Sequence, residues 1–193
     1  MSTIDRREAV RTLLTLVEEE LVVCANGLLS REAFAERDRP ASFYMIGSMG
    51  LASSIGLGLA LARPARRVLV LDGDGNLLMG LGTLATIADA APPNLLHVVI
   101  DDGVHATTGG QRASSVAVDL ARLAEAAGHR WVRSVDDAAA LPEALRALLG
   151  AEGPAFLRVH VGRSGHPAPP RVSLAPAEMA DRFRLAASCG ERP

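Results

Sequence analysis

The sequence predicts an α/β protein built on a doubly wound, mainly parallel sheet with helices on both faces. Three observations carry this. Apolar runs such as Val68-Leu69-Val70-Leu71 and Val98-Val99-Ile100 are continuous, not alternating, which suits strands buried on both faces. Segments of helical periodicity lie between such runs, so strand and helix signals alternate along the chain. Gly, Pro or Asp marks most of the boundaries.

From residue 4 to residue 20 the apolar positions Val10, Leu13, Leu14, Leu16 and Val17 recur at helical spacing opposite a charged face, with Ser2 or Thr3 as the cap. A strand over 21–25 ends in the turn Asn26-Gly27, and a short helix follows around 30–36. A second strand, 42–46, runs into Gly47-Ser48-Met49-Gly50 and a small-residue helix that ends at Ala62. That apolar stretch falls well short of the roughly 20 residues of a membrane span, so it is expected to be a buried helix. Next come a strand at 67–71, a helix at 77–90 and a strand at 95–100. Beyond a polar, Gly-rich loop (101–115) the pattern continues with a helix at 118–127, a strand at 131–135, a helix at 138–149 and a strand at 155–161. The expected organisation is one domain over 1–193 with its core at about 20–161. A Pro-rich tail begins at Arg163, and a terminal helix is expected over 177–187.

Composition narrows the function. Hydrophobic residues make up 49% of the 193 but aromatics only 3%, so the core is expected to be aliphatic, and stacking platforms for single-stranded nucleic acid are absent. A net charge of -2 with scattered basic residues gives no footprint for nucleic acid or an anionic membrane. All 20 basic residues are arginine, which excludes a Walker lysine and Schiff-base chemistry. The two cysteines, Cys24 and Cys189, match no metal-ligand spacing, and with no secretory signal the expected setting is the cytoplasm.

Ligands of such sheets bind beyond the carboxyl ends of the strands, where three clusters stand out. These are Gly47-Ser48-Met49-Gly50, Asp72-Gly73-Asp74-Gly75-Asn76 and Asp101-Asp102-Gly103-Val104-His105. Carboxylates gathered at one sheet edge repel each other unless a cation lies between them, and magnesium shared with phosphate oxygens fits that need. The glycines flanking Asp74 let backbone amides approach a phosphate at a helix start. An EF-hand starting at Asp72 would place Leu77 where Gly is required and Thr83 where Glu is required. The dinucleotide spacing fails at Gly56-x-Gly58 and at Gly73-x-Gly75. It matches at Gly80-x-Gly82-x-x-Ala85, but inside an expected helix, where such glycines serve close packing. A haloacid-dehalogenase-type phosphatase would need a lysine that the chain lacks.

Gly73-Asp74-Gly75, followed 28 residues after Asp74 by Asp102, resembles the metal and diphosphate motif of thiamine diphosphate enzymes. Gly47-Ser48-Met49-Gly50-Leu51-Ala52 resembles their aminopyrimidine-holding segment. Gly103-Val104-His105 through Gly109-Gly110-Gln111 is similar to phosphonopyruvate and sulfopyruvate decarboxylases. The resemblance implies that Asp74, Asp102 and the carbonyl of Val104 coordinate Mg2+, and that Gly73, Gly75, Asn76 and Leu77 lie along the diphosphate. Gly47 and Ser48 would border the aminopyrimidine, with Met49 as a wedge beneath the bent cofactor. His105 would contact cofactor or substrate, by binding an anionic group or moving a proton. Two positions depart from the family, which usually has Asn at 102 and Ser or Ala at 76. His97 and Cys24 are expected to pack in the core, and Arg63, Arg66 and Arg67 to form a solvated face.

In this family a glutamate from a separate pyrimidine-binding domain activates the aminopyrimidine, and no segment here provides one. The resemblance therefore implies the β subunit of a split 2-oxo acid decarboxylase, completed by a pyrimidine-binding α subunit. Its substrate would be a sulfopyruvate- or phosphonopyruvate-like acid. A carboligase subunit of the same fold and a non-catalytic cofactor-binding subunit are the alternatives.

Overall fold

The computed structural model describes residues 3–162 and 164–189. In chain order the elements are β1 (Ile4–Asp5), α1 (Arg6–Leu16), β2 (Leu21–Cys24), α2 (Leu28–Glu36), β3 (Ser42–Tyr44), α3 (Ala52–Ala62), β4 (Val68–Gly73), α4 (Asp74–Met79) and α5 (Thr83–Ala90). They continue with β5 (Leu95–Asp101), β6 (Val104–His105), β7 (Gln111–Arg112), α6 (Leu120–Ala127), β8 (Trp131–Val135), α7 (Leu141–Gly150), β9 (Ala155–Gly162) and α8 (Pro176–Ser188). Seven strands form one parallel sheet in the order β3-β2-β4-β5-β9, with β8 and β1 sharing the outer edge of β9. The pair β6-β7 is a small antiparallel hairpin in the loop after β5.

Side-chain alternation along the strands sorts the core into two layers. Cys24, Leu69, Leu71 and Val98 meet Val10, Leu13 and Leu14 of α1 and Leu141, Leu145 and Leu148 of α7. Val23, Val68 and Val70 face the other way, against Ala52, Leu57 and Ala60 of α3 and Ile87 of α5. Val99 and Phe156 complete that side with Leu77, Leu84, Leu120 and Ala124. Helices thus cover both faces of the sheet, as the sequence predicts, and the core is aliphatic. Cys24 and His97 are buried in it as expected, and burial pushes the Cys24 thiol up to about 12.

Several boundaries differ from expectation. The first helix is shorter than 4–20, because Ile4 and Asp5 pair with Val161 and Gly162 of β9. Asp5, not Thr3, is its cap, the carboxylate accepting from the backbone N–H groups of Arg7 and Glu8. Ser2 and Arg163 lie outside the described residues. The expected helix over 77–90 is two helices, broken at Gly80-Leu81-Gly82. A Cβ at Gly80 would lie 2.1 Å from the carbonyl oxygen of Gly50, so this glycine does serve close packing, but at a break. The arginines after α3 are not a solvated face. Arg66 donates to the carbonyls of Ala186 and Cys189 at the end of α8, Arg63 to Ala187, and Arg67 to Ala151.

Helix α3 lies close on the sheet because Gly56 has no side chain: a Cβ there would be 2.2 Å from Cγ2 of Val70. Gly56→Ala is expected to cost about 1–3 kcal/mol by overpacking, and Val70→Ala in the same chain to recover part of that loss. Urea unfolding of the single and double variants checks it. Strictly additive losses would remove this contact as the constraint.

Candidate functional site

Chain order reverses between β2 and β4, since the chain runs from β2 outward to β3 and then returns to the other side of β2. The crevice beyond their carboxyl ends is the expected ligand position of an open α/β sheet. A cavity of about 100 Å³ opens there, lined by Asn26-Gly27-Leu28 after β2, Gly73-Asp74-Gly75-Asn76 after β4, and Asp102, Val104 and His105 after β5, together with Met49 and Arg6. Pockets for drug-sized ligands start at roughly 300 Å³, so this cavity by itself would take only part of such a ligand.

Within each acidic cluster the two aspartates have separate tasks. Asp72 is buried, accepts from the N–H of Gly73 and lies 3.1 Å from Nε2 of His97. Asp101 is buried and held by Arg158, whose Nε donates to it at 2.7 Å. Asp74 and Asp102 are the members that line the cavity. Burial pushes the Asp74 carboxyl up to about 6, with the charges of Asp101 and Asp102 adding to the rise. The hydroxyl of Ser115 and the N–H of Gly75, both donating to Asp74, act against it. Asp102 accepts from Nη1 of Arg6 at 2.8 Å and from the N–H of Val104 at 3.2 Å.

The glycines hold this wall closed. A Cβ on Gly75 would lie 2.8 Å from Cε1 of His105 and 3.2 Å from Cε of Met49, so Gly75, His105 and Met49 meet at the cavity. Met49 is half-buried and lines the cavity. Its loop turns through left-handed conformations at Ser48 (φ 58) and Gly50 (φ 91). The N–H of Gly50 then donates to Oδ1 of Asn76 at 3.0 Å, which ties the loop to the start of α4.

Gly73, Asp74, Gly75, Asn76, Met49, Asp102, Val104 and His105, all named from the sequence, therefore converge on one cavity. Gly47 and Ser48 are exposed in the same loop but do not line it. Leu77 departs from expectation: its side chain is 1% exposed and packs against Leu84, Val99 and Phe156, so any contact with a ligand falls to its main chain. Asn76 has a structural bond beyond its expected ligand role.

Sequence reasoning missed Arg6, Glu32, Ser115 and Asn26. Arg6 is buried on what looks like the charged face of the first helix, with Nε and Nη2 on the Glu32 carboxylate at 2.9–3.1 Å and Nη1 on Asp102. Burial opposes its charge, but the two carboxylates outweigh that and hold its pKa above the ordinary value. Among the described residues no group of three or more His, Cys, Asp or Glu converges as a metal cage. A magnesium ion here would draw on two carboxylates, a backbone carbonyl, ligand phosphate oxygens and water, a usual donor set for that ion.

Residues 26–159 match the family of thiamine pyrophosphate enzymes over its C-terminal TPP-binding domain. The chain is 43% identical over 180 residues to a sulfopyruvate decarboxylase subunit beta of Methanothermobacter thermautotrophicus, covering 93% of this chain and 94% of that one. It is 37% identical over 92% of its length to the corresponding subunit of Methanococcus maripaludis, of which it covers 95%. A phosphonopyruvate decarboxylase of Streptomyces viridochromogenes is 44% identical over 90% of this chain, which spans 44% of that longer protein. A solved structure from Mycobacterium smegmatis, assigned to the thiamin diphosphate-dependent enzymes, superposes with a TM-score of 0.69 at 20% identity, covering 82% of this chain and 32% of that one; it shares the fold. With its motifs in order around one cavity at the sheet's crossover, the chain belongs to the thiamine pyrophosphate enzymes as a TPP-binding domain of the sulfopyruvate and phosphonopyruvate decarboxylase type.

Proposed function

We propose that this chain is the diphosphate- and Mg2+-binding subunit of a split 2-oxo acid decarboxylase acting on a sulfopyruvate- or phosphonopyruvate-like acid. The observation that carries this is the near end-to-end match to proteins named as beta subunits. Thiamine diphosphate, when bound, supplies the electron sink for the carboxylate that leaves as carbon dioxide.

The chain's own residues bind and orient. Asp74 and Asp102 hold Mg2+ with the carbonyl of Val104, while the first turn of α4, from Gly73 through Asn76, receives the diphosphate. Gly47 and Ser48 would border the aminopyrimidine, and Met49, which lines the cavity, would lie against the cofactor. His105, beside Gly75 with no hydrogen bond to its ring among the described residues, is placed to bind or protonate substrate. The partner is a pyrimidine-binding α subunit. Apolar side chains left exposed beside the cavity support that reading: Met79, 68% exposed, and Leu51 flank the Gly50–Gly80 contact, and Val116 lies against Gly103. Among the described residues no helix is long and apolar enough to cross a membrane. We place the protein in the cytoplasm.

Asp74→Asn is expected to weaken Mg2+-dependent thiamine diphosphate binding by about 100-fold or more in a chain that still folds. The carboxylate faces the cavity and not the core, so folding should not need its charge. Calorimetric titration of cofactor with and without Mg2+ measures this, and unchanged affinity would remove Asp74 from the metal site.

Carbon dioxide release from sulfopyruvate and phosphonopyruvate should appear only when the chain is mixed with its α subunit. The activating acid comes from that partner, and acid–base help of this kind is commonly worth about 10²–10⁴-fold in rate. Full turnover by the chain alone would overturn the split-enzyme reading.

A further inference from the structure

A second cavity, of about 430 Å³, adjoins the first and shares with it the wall formed by Asn26, Gly27, Leu28, Ala106 and Thr107. Its remaining lining comes from Ser30 and Arg31 of α2, from Met45 and Ile46 after β3, and from Ala168, Arg171 and Val172 of the Pro-rich segment. Arg31 holds that segment over α2, its Nε donating to the carbonyl of Pro169 at 2.7 Å. Arg171 is exposed and has no hydrogen-bond or ion-pair partner among the described residues. On the shared wall, Oδ1 of Asn26 is buried without a partner. A buried, unpaired amide end is costly, and rotation of the amide would present its NH2 group there instead.

Charge accounting says what this second cavity is for. Decarboxylation is opposed by any cation that holds the departing carboxylate, because that interaction stabilises the ground state and is lost in the transition state. A cation used for substrate affinity therefore belongs on another anionic group. Arg6, among the described residues the only arginine on the wall of the first cavity, is consumed by Glu32 and Asp102, and the chain has no lysine. On the adjoining cavity Arg31 is partly engaged and Arg171 unengaged among the described residues.

We infer that the second cavity is the subsite for a tetrahedral oxyanion, sulfonate or phosphonate, borne by the substrate carbon beyond the 2-oxo group, and that Arg171 is its specificity-determining residue. This rests on the decarboxylase reading above for the reaction but not for the binding of the anion. Arg171 binds the tail, and Arg31 anchors the segment that carries it.

The test uses the assembled enzyme of both subunits, with Arg171→Gln and Arg171→Lys. Calorimetry with sulfoacetate, which carries the tail but no 2-oxo group, is expected to show binding to the parent, roughly tenfold or more weaker binding to Arg171→Gln, and partial recovery in Arg171→Lys. In steady state, kcat/KM for sulfopyruvate or phosphonopyruvate relative to pyruvate should fall by a similar factor in Arg171→Gln, mainly through KM; whichever tailed acid loses more identifies the natural tail. Sulfoacetate binding that is absent from the parent or equal in Arg171→Gln overturns the subsite, as does an equal loss of kcat/KM on all three acids. Sulfoacetate binding that depends on Arg171 in an enzyme that turns over none of them upholds the subsite and overturns the decarboxylase reading instead.

Discussion

The carboxyl edge of the sheet is arranged around one electrostatic constraint. Asp74 and Asp102 line the same cavity, and among the described residues the only arginine on its wall, Arg6, is already shared between Asp102 and Glu32. Burial raises Asp74, and its acidic neighbours raise it further, which is the kind of crowding that a divalent cation offsets. The surrounding structure bears that crowding. Ser115 and the N–H of Gly75 donate to Asp74, the N–H of Val104 donates to Asp102, and Asp101 is bound to Arg158.

Close backbone approach is the second constraint, and it links the metal wall to the loop that carries Met49. The break between α4 and α5 exists because Gly80 must lie against the carbonyl of Gly50. Asn76 then bonds to the N–H of Gly50, so two contacts from opposite ends of α4 fix one loop.

Much of this was legible in the sequence, and the failures have physical reasons. Continuous Val, Leu and Ile runs announce parallel strands, and the Asp-Gly-Asp-Gly-Asn cluster announces a phosphate and metal edge, because both are local signals. Arg6 was not legible: helical periodicity shows only which face is apolar, and a buried ion pair across 26 and 96 residues of chain leaves no local trace. The break at Gly80 was hidden for a similar reason, since the atom that demands it belongs to Gly50. The motif places Leu77 beside the cofactor, and its buried side chain leaves only the main chain for such a contact, a distinction that a motif does not carry.

The N-terminal segment gains a role from the same logic. Residues 26–159 match the family domain, yet Arg6 lies before them. Its position is set by β1, which has only two residues and would be marginal alone. Pairing of Ile4 and Asp5 with the end of β9 fixes the chain's entry, Asp5 caps α1, and Val10, Leu13 and Leu14 lock that helix into the core. Arg6, the first residue of α1, is thereby held against the sheet, where it offsets the charge of Asp102. The family resemblance leads one to expect a neutral amide at position 102. An aspartate there, with a guanidinium at 2.8 Å that Glu32 also engages, leaves this wall one negative charge richer than an amide would, and the N-terminal strand holds in place the cation that partly offsets it.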